Sequence, residues 1–302
     1  MIPPPSTDSA ARLWAPLARF IALDARIGER ALARGPTAVA LYEFVRFGLK
    51  QGWACLFGGL LCGLMLASAM LYPAQAPLTR YDALTLAAVA IQIAMLALRL
   101  ETWEEARVIL VFHVVGTAME LFKTAVGSWI YPEPSLLRIG GVPLFTGFLY
   151  ASVGSYFARV WRLFDFRFTR HPPLPALAAM SLAIYVNFFT HHYVVDLRVV
   201  LFALAALLFW PATVHFKVWR VHRRMPLLLG LVLVALFIWL AENIGTLSRT
   251  WIYPHQRAGW TLVPPQKLGA WFLLMIISYT LVAVINRPRG LARAPLQRAT
   301  TA

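Results

Sequence analysis

The sequence predicts an all-α polytopic membrane protein: about eight transmembrane helices, set as two parallel four-helix repeats behind an amphipathic N-terminal segment. Three observations lead there. Of 302 residues, 60% are hydrophobic and only 14% charged, where a soluble domain of this size carries about a quarter charged residues. Apolar runs of roughly twenty residues, the length that crosses a bilayer as a helix, recur along the chain. And the tetrapeptide Trp-Ile-Tyr-Pro stands twice, at 129–132 and again at 251–254.

Residues 1–44 read as a basic, cytoplasmic N-terminal segment. Within it Leu13, Trp14, Leu17, Phe20 and Ile21 share one helical face while Arg12, Arg19 and Arg26 point elsewhere. That spacing suits a helix lying on the membrane surface; a loosely ordered basic tail is the alternative. The stretch is too long, too charged and too proline-rich for a cleavable signal peptide. The first repeat, residues 45–165, holds predicted spans at 52–72, 82–99, 106–126 and 141–160. The second, residues 170–288, holds spans at 174–191, 197–214, 226–247 and 268–286, and a basic cytoplasmic tail follows at 289–302. Continuous apolar runs exclude an outer-membrane barrel, whose strands alternate.

The formal net charge of +15 raises the question of nucleic acid, and the positions of the charges answer it. With the N-terminus inside, the outer loops hold only Arg80, Arg138, Arg198, Arg249, Arg257 and Lys267, and Lys123 lies within a span. The remaining Lys and Arg gather on the inner side, as the positive-inside rule requires. Both termini are therefore expected in the cytoplasm of a bacterial inner membrane, with the lipid bilayer as partner and no nucleic acid. Cys55 and Cys62 are roughly 10 Å apart along one predicted helix, too far for a disulfide, and read as packing residues.

The repeat extends beyond the tetrapeptide. Glu120 and Glu242 each stand nine residues before their Trp, and Thr124 matches Thr246. Val142-Pro143 matches Val263-Pro264 after a one-residue slip, and Asp82 pairs with Asp196 across a longer loop. Because each unit has an even number of spans, the second copy enters the membrane in the same orientation, which gives an axis along the membrane normal. Small residues at four-residue spacing, Gly59/Gly63 and Gly147/Ala151/Ser155, are expected at close helix contacts.

The intramembrane polar residues supply the candidate site. His113, Gly116, Thr117, Glu120, Lys123 and Thr124 fall on one helix face. Trp239, Glu242, Thr246 and Arg249 do the same in the second unit, with Asn243 beside Glu242. Ionisable groups in hydrocarbon usually face a bundle interior. Glu120 is expected to pair with Lys123 one turn away, and Glu242 with Arg249 two turns away. Structural ion pairs pinning the halves together are one reading. The other is a functional cavity, with Glu120 and Glu242 as acid/base groups and a lining of His113, Lys123, Thr124, Trp129, Tyr131, Asn187, His191, Asn243, Thr246, Trp251 and Tyr253. Trp129, Tyr131, Trp251 and Tyr253 also suit plain interfacial anchoring. His191 and His192, adjacent on a helix, point about 100° apart and lack the spacing of a metal site, so no metal is expected and the cofactor is left open. A P-loop, a Gly-x-Ser-x-Gly elbow, a Cys-x-x-Cys pair and an Asp-rich diphosphate motif are all missing from the sequence.

Several stretches together resemble one family: RYDALTLAAVAIQ, the Arg99-Leu-Glu-Thr run, FHVVGTAMELFKTAVGSWIYPE, RIGGVPLFTGFLYASVGSY, NFFTHH and AENIGT…WIYP. They look like the YoaT-like bacterial membrane proteins, domain of unknown function 817, over about residues 40–287. The resemblance implies an inner-membrane protein and supplies no catalytic residues to carry over. A fainter likeness joins Glu120, Gly127-Ser128-Trp129-Ile130-Tyr131 and Pro143-Leu144 to the membrane-embedded lycopene cyclases and carotenoid hydratases. Those proteins carry a glutamate pair just after that Pro-Leu, where Phe145 and Thr146 stand here. Three functions follow as expectations: modification of an isoprenoid or other lipid by carboxylic acid/base chemistry at the repeat interface, a transporter or proton-coupled carrier with a central site between the repeats, or a non-catalytic structural membrane protein. Oligomeric state is not legible.

Overall fold

The computed structural model describes residues 15–290. Arg12, Leu13 and Trp14, the side chains of Leu17 and Phe20, and residues 291–302 of the tail lie outside the described residues. Ten α-helices dominate the described chain: α1 Ala15–Arg34, α2 Pro36–Ala54, α3 Leu56–Leu71, α4 Arg80–Ala97, α5 Trp103–Ala125, α6 Phe145–Phe164, α7 Leu174–Thr190, α8 Arg198–Phe209, α9 Leu227–Leu247 and α10 Gln266–Asn286. Local chemistry sets several boundaries. Thr102 and Glu105 form a reciprocal capping box that starts α5. Thr79 accepts from the Asp82 amide at 3.3 Å to start α4. Prolines at 36, 173, 226 and 265 stand at the starts of α2, α7, α9 and α10.

Among the described residues four helices are long and apolar enough to cross a membrane: α4, α5 from Glu105, α9 and α10. The pair α2–α3 makes a fifth if its 68° bend lies within one span. Every predicted span contains a helix, but not always a spanning one. The predicted first span, 52–72, is broken at Cys55, which forms the junction between α2 and α3. The junction residue is neither Gly nor Pro, so no helix breaker marks the bend. Cys55 and Cys62 are therefore not on one straight helix, and Cys55 is exposed rather than packed. The predicted sixth span, 197–214, shortens to the twelve residues of α8, because the chain turns into a strand at Thr213.

The fold is helical as expected, with two small antiparallel sheets at its ends. Residues β1 Arg138–Ile139 and β2 Val142–Pro143 form a hairpin beside the start of α6. Gly140 and Gly141 turn it with φ of 55° and 84°, the doubly left-handed pair that a two-residue hairpin needs. At the opposite end of the bundle, β3 Arg167–Thr169, β4 Thr213–Lys217 and β5 His222–Pro226 pair in that order. The α1 helix docks onto this second sheet. Glu29 pairs with Arg220 and Glu43 of α2 with Arg223, each at 2.5 Å. A Cβ on Gly28 would stand 2.9 Å from the Trp219 ring. The tail reading is thus corrected for residues 15–34, which form a helix held by specific contacts.

Apolar packing within lipid gains little from the hydrophobic effect and depends on close fit. The main cluster joins Leu177, Ala205, Phe209, Leu231, Ile276 and Val282, all buried, from α7 to α10. The Gly147/Ala151/Ser155 stripe does meet a neighbour: a Cβ on Gly147 would lie 2.6 Å from His113 and 2.9 Å from Thr117 on α5. The Gly59/Gly63 stripe does not, since nothing lies within 4 Å of either position; Gly58 faces Ser152 instead.

Candidate functional site

The two WIYP segments meet. Ile130 and Ile252 form an antiparallel bridge in which each amide donates to the other's carbonyl at 3.0 Å. The same residue of each unit thus pairs with its counterpart. The turns that deliver them are duplicated bond for bond. At the end of α5, Gly127 N donates to Thr124 O at 3.1 Å and Ser128 N to Lys123 O at 2.9 Å. At the end of α9, Arg249 N donates to Thr246 O and Thr250 N to Gly245 O, both at 3.0 Å. Both are Schellman caps, which place the next residue in left-handed backbone. Gly127 takes φ 72° at little cost, whereas Arg249 takes φ 52° with a side chain in place.

Above this bridge lie two carboxylates, each caged by aromatic donors. Glu120, 6% exposed, accepts from Trp129 Nε1 at 2.8 Å, Tyr131 Oη at 2.6 Å and Tyr150 Oη at 2.8 Å. Glu242, 5% exposed, accepts from Tyr253 Oη and from Trp271 Nε1 at 2.7 Å. Tyr131 and Tyr253 stand at the 122-residue offset of the two WIYP segments, and Tyr150 and Trp271 at 121, the one-residue slip seen at Val142-Pro143 and Val263-Pro264. Desolvation and the adjoining glutamates push both loop phenols, Tyr131 and Tyr253, well above their ordinary range, so both remain donors. The Trp129 and Tyr253 rings cross edge to face at 6.1 Å and tie the two cages together. Lys267 lies over both rings, 5.6 Å and 4.4 Å from their centroids.

A search against family models matches residues 43–279 to the family described as "Protein of unknown function (DUF817)". The chain belongs to the DUF817 family. It is 41% identical over 248 residues to "Uncharacterized protein YoaT" of Bacillus subtilis (strain 168), a match covering 82% of this chain and 93% of that relative. No solved structure matches it.

Of the residues expected at the site of this DUF817 chain, the structure gathers Glu120, Trp129, Tyr131, Glu242 and Tyr253. Three others join them that the sequence reading did not single out: Tyr150, Trp271 and Lys267. The slipped repeat offset was the signal for the first two. The expected Glu120–Lys123 and Glu242–Arg249 ion pairs do not occur among the described residues. Arg249 is exposed, and Lys123 turns toward α7. There its Nζ lies 2.8 Å from His192 Nε2, 3.4 Å from His191 Nε2 and 4.2 Å from the Phe188 centroid.

The two histidines do not diverge by 100°, because α7 ends at Thr190 and both imidazoles turn onto the same lysine, 4.1 Å apart. Asn187 O lies 2.9 Å from His191 Nδ1 and takes its N–H, which leaves Nε2 to accept from Lys123. Desolvation, then the Lys123 charge, holds His192 below the ordinary histidine range. Among the described residues no three His, Cys, Asp or Glu side chains converge to hold a metal ion.

The remaining candidates are scaffold. Asn187 accepts from Leu197 N at 2.9 Å, and Asn243 from Val263 N at 2.9 Å. Thr246 accepts from Trp260 at 3.1 Å. Trp251 fills the space above Gly245, His113 packs edge-on to Phe148 at 4.7 Å, and Thr124 Oγ1 is buried without a partner. Arg80, expected in an outer loop, is buried; it donates to Ser248 O at 3.0 Å, and Tyr81 donates to Thr250 O at 2.9 Å. These bonds tie the start of α4 to the end of α9 beside the bridge.

Proposed function

We propose that this chain is a multi-pass protein of the bacterial inner membrane, two four-helix units in parallel with both termini cytoplasmic, that modifies an isoprenoid or other lipid by carboxylic acid/base chemistry. The observation that carries the reading is the shared use of Tyr150 and Trp271. Each donates to one glutamate, and both also line a small cavity between α5, α6 and α10. Apart from Ser278 the rest of that wall is apolar, including Phe112, Met119 and Leu274. When Glu120 is protonated the bond to Tyr150 reverses: Oε1–H donates to Tyr150 Oη, whose own proton turns into the cavity, passes to an alkene carbon and is replaced from Glu120. The Trp271 face then stabilises the cation, and loss of a neighbouring C–H proton to the Glu242 carboxylate forms the new alkene; Glu242 then gives that proton to water and Glu120 takes one back. Atoms and charge balance with no added oxidant.

The cavity holds about 30 Å³, room for one water, so a lipid chain enters only when α10 parts from α5 and α6. That same closure favours the carrier as the second reading, since a central site that opens between repeats is what alternating access uses.

The test compares lipid and pigment extracts by mass spectrometry from a deletion strain carrying either the wild-type gene or Glu120→Gln plus Glu242→Gln at matched membrane levels. A species that changes only with intact acids supports the lipid reading. Identical extracts overturn it in favour of the carrier.

A further inference from the structure

The end of the bundle away from the WIYP bridge carries a second concavity, of about 620 Å³, between the exit of α10, the start of α7 and the edge strand β3. Three arginines line it: Arg170 ahead of α7, and Arg287 and Arg289 just past α10. All three are exposed, and none is in an ion pair among the described residues. The nearest acid in sequence, Asp165, is taken by Arg167 at 3.1 Å and His222 at 3.3 Å. Three positive charges thus stand around one groove, and no acidic side chain lines it among the described residues.

The groove is built, not merely a coincidence of tails. Phe168 N donates to Arg289 O at 3.0 Å, and Phe168 bridges Gly290, so the strand after α10 is laid against β3. His171 Nε2 lies 2.6 Å from Tyr279 Oη on α10 and fixes the third side. Arg170 and Arg287 both hold left-handed backbone, with φ of 52° and 44°, a conformation that side chains rarely adopt without other constraint. The opposite wall is apolar and faces the bundle's flank, with Leu174 opening α7 and Val284, 53% exposed, on the last turn of spanning helix α10.

We infer that this groove binds a phosphate group carried on an alkyl chain, the headgroup of an anionic phospholipid, with Arg170, Arg287 and Arg289 on the phosphate and Val284 and Leu174 along the first carbons. Guanidinium groups match phosphate oxygens in pairs, and basic pockets at helix ends are suited to anionic headgroups. A free phosphate compound would use the same arginines but not the apolar wall.

The experiment uses the full chain purified in detergent and measures phosphatidylglycerol retention by native mass spectrometry. Phosphatidylcholine serves as the neutral control and inorganic phosphate as the competitor. The variants are Arg170→Gln/Arg287→Gln/Arg289→Gln and, with all charges kept, Val284→Trp. Arg257→Gln, at the other end, is the control substitution. Wild type should retain one more phosphatidylglycerol than phosphatidylcholine. The triple variant should weaken that retention by at least about tenfold, and Val284→Trp should lower it with the arginines intact. Retention unchanged in both variants overturns the site. Displacement of the lipid by millimolar inorganic phosphate overturns the lipid assignment and leaves a soluble phosphate compound as the ligand. If the triple variant fails to fold, Val284→Trp decides alone.

Discussion

Two kinds of buried carboxylate occur in this one chain, and they are handled differently. Between α4, α5 and α6, Glu101 faces Arg159 at 3.5 Å, both side chains fully buried. Glu101 also accepts from Ser155 and from Gln92 at 2.5 Å. This is a paired charge, and neither partner recurs at the repeat offset. Toward the other end of α5, and on α9, Glu120 and Glu242 stand 122 positions apart and have no ion-pair partner among the described residues. Their partners are phenols and indoles, which donate without neutralising. A carboxylate needed only for architecture is most cheaply buried beside an opposite charge. The duplicated pair forgoes that, and its donors open onto a cavity. The contrast separates a structural acid from a candidate chemical one.

That comparison can be broken by mutation, and the largest effect belongs to the paired charge. Arg159→Met strands Glu101 and should cost about 3–5 kcal/mol, seen as a large drop in melting temperature in detergent. Arg159→Met with Glu101→Leu should recover most of it, and a failure to recover would mean that Arg159 acts through its bond to Trp53 O. Tyr253→Phe removes one donor from Glu242 and should cost about 1–2 kcal/mol. Glu242→Gln keeps an acceptor and presents its amide to a hydroxyl able to accept, so it should cost less. A Glu242→Gln loss as large as that of Arg159→Met would make the duplicated acid structural after all.

Smaller effects test the duplicated caps. Gly127→Ala puts a Cβ at φ 72° and should destabilise by about 1 kcal/mol, while Arg249→Gly relieves φ 52° and should stabilise by up to about that amount. Equal and opposite shifts in melting temperature would show the two turns to be energetically as well as geometrically alike. The smallest effect is the pH response at His192. Its folded pKa lies below the unfolded value of about 6.5, so the unfolded chain binds more protons once pH falls below that value. Stability should therefore decline slightly on going from pH 7 to pH 5.5, and Lys123→Met should flatten the decline.

The sequence and the structure agree where periodicity and duplication carry the information. Glu120, Trp129, Tyr131 and their counterparts were legible because a four-residue echo marked them. Tyr150 and Trp271 carried a signal too, hidden by the one-residue slip between their units and by the change from phenol to indole. The expected ion pairs failed because helical spacing gives proximity along an element but not rotamer choice: Lys123 finds His191 and His192 on α7 instead of Glu120. Strand alternation in TVHFK is present at 213–217, but its first two residues fall inside the apolar run 197–214. The break at Cys55 has neither Gly nor Pro at the junction to announce it. A helix of twelve residues at 198–209 could not be told from a full span by hydropathy alone.

The most direct test of the twin-carboxylate account is deuterium uptake into carbon. Purified wild-type protein, Glu120→Gln and Glu242→Gln would each be incubated in D₂O with a total lipid extract from the native membrane, and the lipids analysed by mass spectrometry after back-exchange of O–H and N–H positions. Protonation of an alkene carbon from Glu120 through Tyr150 predicts a lipid that gains non-exchangeable deuterium with the wild type and with neither variant. No uptake above the protein-free control, or equal uptake by wild type and both variants, would contradict it.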